Sequence, residues 1–292
     1  MERARQGYAF VVVSAVSFGG VAVLGKLALA RGLPVDALLF WRWLLAAAAL
    51  APLVALRARG RLPTKAAAAS FALGAVGYAG TSGIYFLALP HVDAAVASFL
   101  LFLSPVLVAV LSAALLRERV GWRLAGALGL AVGGLGLLAF APGTHASALG
   151  VAYALGSAVV YAGTVVTGRK VVGAHDPLAV SLLVMAGAAA SFGALAIARG
   201  AFAVPAGAAA WREVVALAVV STALSIATFY LALPLIGAAR AALASMLEPV
   251  STAVVAWVVL GEVLRPVQFV GAALILCAVG LVVSEGPAGA PP

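Results

Sequence analysis

Apolar residues fill this chain in long unbroken stretches, punctuated by short clusters of glycine, proline and charge. Ten stretches stand out: residues 8–30, 37–56, 71–89, 92–116, 122–140, 149–166, 178–198, 214–233, 236–260 and 267–283. Each has roughly the 17–25 residues that a helix needs to cross the hydrocarbon core of a bilayer. Turn signals divide them, among them Gly32-Leu33-Pro34, Pro90-His91, Pro142-Gly143, His175-Asp176-Pro177, Pro234 and Arg265-Pro266. The apolar content is continuous rather than alternating, and each stretch is about twice the length a tilted strand needs. Helices are therefore predicted, not a barrel.

Composition points the same way. At 65% hydrophobic and 9% charged, the chain lacks the polar skin of a soluble domain, which carries about 25% charged residues. The single cysteine, Cys277, excludes an intrachain disulfide. A formal charge of +9 would suggest nucleic acid, but the bases sit mostly in short loops and there is no soluble domain to carry a basic face. No nucleic-acid partner is expected; the bilayer is.

The first stretch has Arg3 and Arg5 ahead of it and an Ala28-Leu29-Ala30 box that resembles a cleavage site. Lys26 interrupts the approach to that box and the segment recurs later, so it is read as a retained helix. With a cytoplasmic amino terminus, eleven bases face the cytoplasm: Arg3, Arg5, Arg57, Arg59, Arg61, Lys65, Arg117, Arg119, Arg123, Arg169 and Lys170. Five face the other way: Lys26, Arg31, Arg199, Arg212 and Arg265. The positive-inside rule then predicts a multi-pass inner-membrane protein with both termini cytoplasmic and residues 285–292 as a disordered tail.

The chain repeats itself. Leu87-Ala88-Leu89-Pro90 returns as Leu231-Ala232-Leu233-Pro234, Pro105-Val106 as Pro249-Val250, and Glu118 as Glu262, each 144 residues later. Ser14-Ala15-Val16 returns as Ser157-Ala158-Val159, and Pro34 as Pro177, 143 residues later. Five helices per copy is an odd number, so the second copy enters the membrane upside down. The predicted fold is all-α and polytopic: ten transmembrane helices in two inverted-topology repeats, residues 8–140 and 149–284. That arrangement marks secondary transporters, with the substrate site between the copies near the midplane.

Leu247-Glu248-Pro249-Val250, Trp257, Leu260-Gly261-Glu262, Gln268, Gly271 and Gly280 resemble the second-repeat pattern of the EamA family in the drug/metabolite transporter superfamily. Ser104-Pro105-Val106 with Glu118-Arg119 resembles the first-repeat pattern, and Phe40-Trp41-Arg42 that family's second helix. The resemblance covers essentially the whole chain. It implies ten helices, alternating access and efflux of small amphipathic metabolites, with the YddG-type exporters of aromatic amino acids as near relatives. The small multidrug pumps of the superfamily carry an acidic residue in the first helix, which this chain lacks.

Superposing the repeats aligns hydroxyls and rings. Phe10, Ser14, Phe18 and Val21 match Tyr153, Ser157, Tyr161 and Thr164, while Tyr78, Thr81 and Tyr85 match Thr222, Ser225 and Phe229. Steps of four and three keep each set on one helical face. Such a face lines a cavity for an amphipathic organic substrate, or else supplies interhelical hydrogen bonds. Ser14, Phe18, Tyr78, Thr81, Tyr85, Ser157, Tyr161 and Phe229 are the candidate cavity residues.

Glu248 is far from the ends of its predicted span, where a carboxylate is costly. It is either a proton or cation site or a structural partner for backbone freed by Pro249. Arg42, about 9 Å inside its helix at ~1.5 Å per residue, would snorkel, pair with Glu262 or meet a substrate carboxylate. Lys26 and Arg240 can snorkel from helix ends. Pro105 and Pro249 are predicted to kink symmetry-related helices and are candidate hinges. Ala125, Gly129 and Gly133 form a small-residue face expected to pack inside the bundle. There is no phosphate loop, no HExxH or GxSxG motif and no metal-ligand spacing among His91, His145 and His175. The expectation is a monomeric, cofactor-free and metal-free exporter of amino acids, aromatic or bulky apolar, and not an enzyme. A multidrug or other small-metabolite exporter of the same superfamily is the alternative, and a non-transport membrane subunit or enzyme a remote one.

Overall fold

The computed structural model describes residues 2–57, 62–88, 90–92, 94–139, 147–261 and 265–284. Glu262, Arg59, Arg61, Leu89, Pro142, Gly143, His145 and the tail 285–292 lie outside them. The first half contains α1 (Glu2–Phe18), α2 (Gly20–Ala30), α3 (Val35–Arg57), α4 (Thr64–Ala72), a π-helical turn (Leu73–Tyr78), α5 (Ala79–Ala88), α6 (Ala94–Leu101), α7 (Ser104–Leu116) and α8 (Trp122–Ala139). The second contains α9 (Ala148–Ala174), α10 (Pro177–Ala198), α11 (Gly207–Ala218), a π turn (Val219–Leu224), α12 (Ser225–Ile236), α13 (Ala238–Ala244), α14 (Leu247–Leu260) and α15 (Pro266–Ser284). Among the described residues, eight helices are long and apolar enough to cross a membrane, and Trp122–Leu137 is a shorter apolar one.

Local chemistry sets several boundaries. Ser147 caps α9 by accepting the Gly150 N–H, and Asp176 caps α10 by accepting that of Leu178, with Pro177 at the first helical position. Pro234, expected to separate spans, sits instead in the last turns of α12, and the chain turns at Gly237 with φ +83°.

Helix pairs recur with the halves exchanged. α5 packs on α9 as α12 packs on α1; α7 packs on α9 as α14 packs on α1. The pairs α3–α10 and α8–α15 join corresponding helices of the two halves, and α7 packs on α13 across them. Outward-facing positions carry Val16, Val110, Leu115, Trp257, Phe269 and Leu276, the apolar exterior that hydrocarbon accepts and water does not. Aromatics gather at the ends. Trp41 donates its indole N–H to the Ala203 carbonyl at 2.9 Å and packs edge-on against Trp211, while Trp122 lies exposed beneath the Arg123 guanidinium. Interfacial anchors have this form.

The stretches 92–116 and 236–260 are predicted as unbroken helices, but each is interrupted. Phe102-Leu103 separates α6 from α7, and Ser245-Met246 separates α13 from α14. Phe102 N–H donates to Ser98 and Leu103 N–H to Leu100, as Ser245 N–H donates to Ala241 and Met246 N–H to Leu243. Pro105 and Pro249 therefore stand in the first turns of α7 and α14, where a missing N–H costs nothing, rather than at mid-helix kinks.

The Ala125, Gly129 and Gly133 face is exposed, not packed. α8 instead buries Leu124, Ala127, Leu128, Ala131 and Leu135, the stripe with more apolar surface, largely against α15. Between the halves, the Glu118 carboxylate, just beyond α7, accepts the N–H groups of Ala238 (3.0 Å) and Ala239 (3.3 Å) at the start of α13.

Candidate functional site

The break before α14 changes the setting of Glu248. It lies in the first turn of a half-helix, not far from any helix end as its apolar surroundings suggest. The partial positive charge of a helix N-terminus favours a carboxylate there by about 0.3–1 kcal/mol. The Ser245 carbonyl, the group that Pro249 was expected to free, accepts the Glu248 backbone N–H at 2.9 Å. The carboxylate is not needed for that task.

Arg42 projects from α3 toward the same region. Its Nε donates to Thr222 Oγ1 at 2.7 Å, and its guanidinium stacks 5.2 Å from the centre of the neighbouring Trp43 ring. Arg42 and Glu248 lie near one another but form no direct ion pair. Both keep partial exposure while lying within membrane-spanning helices.

Aromatic hydroxyls complete the group. Tyr78 meets Trp43 edge-on at 5.5 Å and Tyr161 edge-on at 6.3 Å. Tyr161 also lies near Glu248. Tyr230, 1% exposed, approaches Tyr78, but its hydroxyl has no partner of hydrogen-bonding geometry. Small residues permit this crowding: a Cβ at Gly168 would press on the Tyr230 ring at 3.1–3.4 Å, and one at Gly77 would strike the Thr164 side chain. The two π turns aim the residues. Each holds an extra residue per turn, which rotates the next side chains onto a new face; Tyr78 ends the first, and Thr222 in the second donates to Leu217 five residues back at 2.8 Å.

The structure thus brings Arg42, Tyr78, Tyr161 and Glu248 together. The other candidates are distributed differently. Ser157 donates to the Thr81 carbonyl at 2.9 Å, and Thr81 to the Gly77 carbonyl at 2.8 Å, so these buried hydroxyls join α9 to α5 or bond within their own helix. Tyr85 shares a hydrogen bond with Ser98 at 2.8 Å in a separate cluster with Ala88 and Ala154. Ser14 is buried, Phe18 is half-buried against the core, and Phe229 is buried edge-on to Tyr230 at 6.2 Å. Trp43 and Tyr230 belong to the group and were not anticipated. The Phe40-Trp41-Arg42-Trp43 run held the signal for Trp43, whereas Tyr230 stands one residue off its stripe.

A solved crystal structure, described only as that of a protein, superposes with a TM-score of 0.82 at 21% identity, covering 96% of this chain and 99% of that one. At this identity the likeness concerns the fold. No curated protein matches the chain. The pattern of the EamA-like transporter family, in contrast, matches residues 5–140 and again residues 148–284, one match to each half. Duplicated halves, lipid-facing exteriors and broken helices thus coincide with two copies of a transporter sequence pattern, and the chain belongs to the EamA-like transporter family, membrane transporters of the drug/metabolite superfamily.

Proposed function

We propose that the protein is a secondary transporter that exports amino acids, aromatic or bulky apolar ones, by alternating access. The two halves, residues 8–140 and 149–284, act as inverted five-helix units, and the exchanged helix pairs support that reading. The observation that carries the substrate assignment is the placing of Arg42 and Glu248, a guanidinium and a carboxyl group near one another within the membrane-spanning region that form no ion pair. A zwitterion would place its carboxylate on Arg42 and its ammonium on Glu248. Tyr78 and Tyr161 then offer ring faces to an apolar or aromatic side chain. The breaks before Pro105 and Pro249 serve as hinges, because a two-residue turn between half-helices absorbs rotation without tearing a helical ladder.

We assign both termini to the cytoplasm and the protein to an inner membrane, on the distribution of basic residues between loops. Cysteines replacing Arg119 and Arg199, with Cys277 removed, test this with an impermeant thiol reagent. Position 199 should label from outside and position 119 only after the membrane is opened. The reverse pattern would invert the assignment. For function, proteoliposomes containing only this protein should take up radiolabelled phenylalanine or tryptophan down a gradient. Uptake of lipophilic cations in place of amino acids would move the assignment to multidrug export.

A further inference from the structure

A second polar cavity, of about 470 Å3, opens where the end of α7 meets the start of α13 and the flank of α9. Arg117, Arg119, Arg169 and Arg240 line it, and Glu118 is the one carboxylate among its lining residues. That carboxylate is already committed: it accepts the Ala238 and Ala239 amides and lies 3.6 Å from the Arg169 Nε. Four guanidinium groups against one shared carboxylate leave the cavity strongly cationic. The Nε groups of Arg169 and Arg240 are buried and have no hydrogen-bond partner. Such buried donors are costly to leave without a hydrogen bond.

The repeat sharpens the argument. The residue that ends α14 is Gly261, in the left-handed conformation that glycine tolerates. At the corresponding end of α7 the left-handed residue is Arg117, φ +55°. The first half thus keeps an arginine where the backbone favours glycine, and that side chain lines the cavity.

We propose that this cavity is an anion site that takes a phosphate group. A phosphate offers several acceptor oxygens, which converging guanidinium groups recognise with paired hydrogen bonds, and its charge answers the local surplus. The phosphate belongs either to an anionic phospholipid headgroup at the membrane face or to a soluble phosphate. Basic pockets between transmembrane helices suit the former. The site joins α7 to α13, one helix from each half, so its occupant steadies one arrangement of the two. This inference does not depend on the amino-acid reading above.

The test uses the full-length protein in a neutral detergent–phosphatidylcholine mixture, with thermal melting as the readout. One arm adds phosphatidylglycerol; the other adds inorganic phosphate at constant ionic strength, with chloride as control. The expected result is a rise in Tm of several degrees for wild type. Arg119→Gln and Arg240→Gln should need at least ten times more of the same additive, while Arg265→Gln, exposed elsewhere, should match wild type. A shift with lipid alone assigns the lipid source; a shift with inorganic phosphate assigns the soluble one. Arg119 is exposed, so its variant stays informative even where Arg240→Gln folds poorly. No shift of wild type in either arm, or equal shifts in wild type and Arg119→Gln, would overturn the site.

Discussion

Arg42 Nε donates to Thr222 Oγ1 at 2.7 Å, tying the second helix of one half to the π turn of the other. The threonine hydroxyl is fully committed, because its own hydrogen goes to the Leu217 carbonyl at 2.8 Å. Thr222→Ser keeps both bonds and should behave like wild type. Thr222→Val keeps the shape but leaves a guanidinium donor unmet; hydrogen bonds to charged groups contribute about 1.5–3 kcal/mol. Amino-acid flux should fall roughly tenfold or more at that cost. Comparable flux in the Ser and Val variants would show that Arg42 is held by something else.

The π turn of the first half is pressed against α10. A Cβ at Gly74 would collide with the Val184 carbonyl, and one at Gly187 with the Phe71 carbonyl. The clash is with backbone, so no side chain can swing aside. Gly187→Ala is expected to destabilise by about 1–3 kcal/mol, the usual cost of overpacking, and to lower Tm in detergent. Gly133→Ala, whose Cβ meets nothing within 4 Å, should leave Tm unchanged or slightly raised. Equal melting of the two variants would mean that the α10 contact is loose.

Apolar stretches and matched prolines make the helical class and the two halves legible in the sequence, because a segment that crosses a bilayer must be apolar and satisfy its own backbone. The interruptions at 102–103 and 245–246 were illegible for the same reason: Phe102-Leu103 and Ser245-Met246 are as apolar or as small as their neighbours. Burial, not sequence, decides whether a turn is tolerated there. The π turns leave no compositional mark either, yet they carry Tyr78 and Thr222. Arg42, Tyr78, Tyr161 and Glu248 were legible as unusual residues in an apolar setting. Their convergence was not, since it depends on how the halves interlock. The outward turn of Gly129 and Gly133 shows the limit of a small-residue stripe, which gives a helix face but not its neighbour.

The three tyrosines among the candidate cavity residues are expected to separate. Tyr78 and Tyr161 stand 6.3 Å apart beside the charged pair, whereas Tyr85 bonds to Ser98 in another cluster. Tyr161→Ala should weaken apparent substrate affinity several-fold, since a stacked ring contributes about 0.5–1.5 kcal/mol. Tyr85→Phe, which loses the hydroxyl bond to Ser98, should transport normally and melt slightly lower. Concentration dependence of uptake in proteoliposomes distinguishes them. A larger transport defect in Tyr85→Phe than in Tyr161→Ala would move the substrate pocket to the α5–α6 side.

Glu248 decides how transport is driven. As the ammonium partner of a zwitterion, it must be charged to bind substrate but need not exchange a proton during the cycle. An exporter relieving overproduction can also run downhill without any ion. Wild-type proteoliposomes are therefore expected to equilibrate labelled phenylalanine at the same final level with or without an imposed pH gradient. Glu248→Gln preserves shape and removes the charge; losing a charged hydrogen bond worth about 1.5–3 kcal/mol should raise KM roughly tenfold or more, and the maximal rate should change less. A coupling carboxylate gives a different pattern: wild type accumulates substrate above equilibrium only when the gradient is present, and the Gln variant loses accumulation while keeping downhill exchange at an unaltered KM. That second pattern would replace both the facilitative mechanism and the role of Glu248 as a substrate contact.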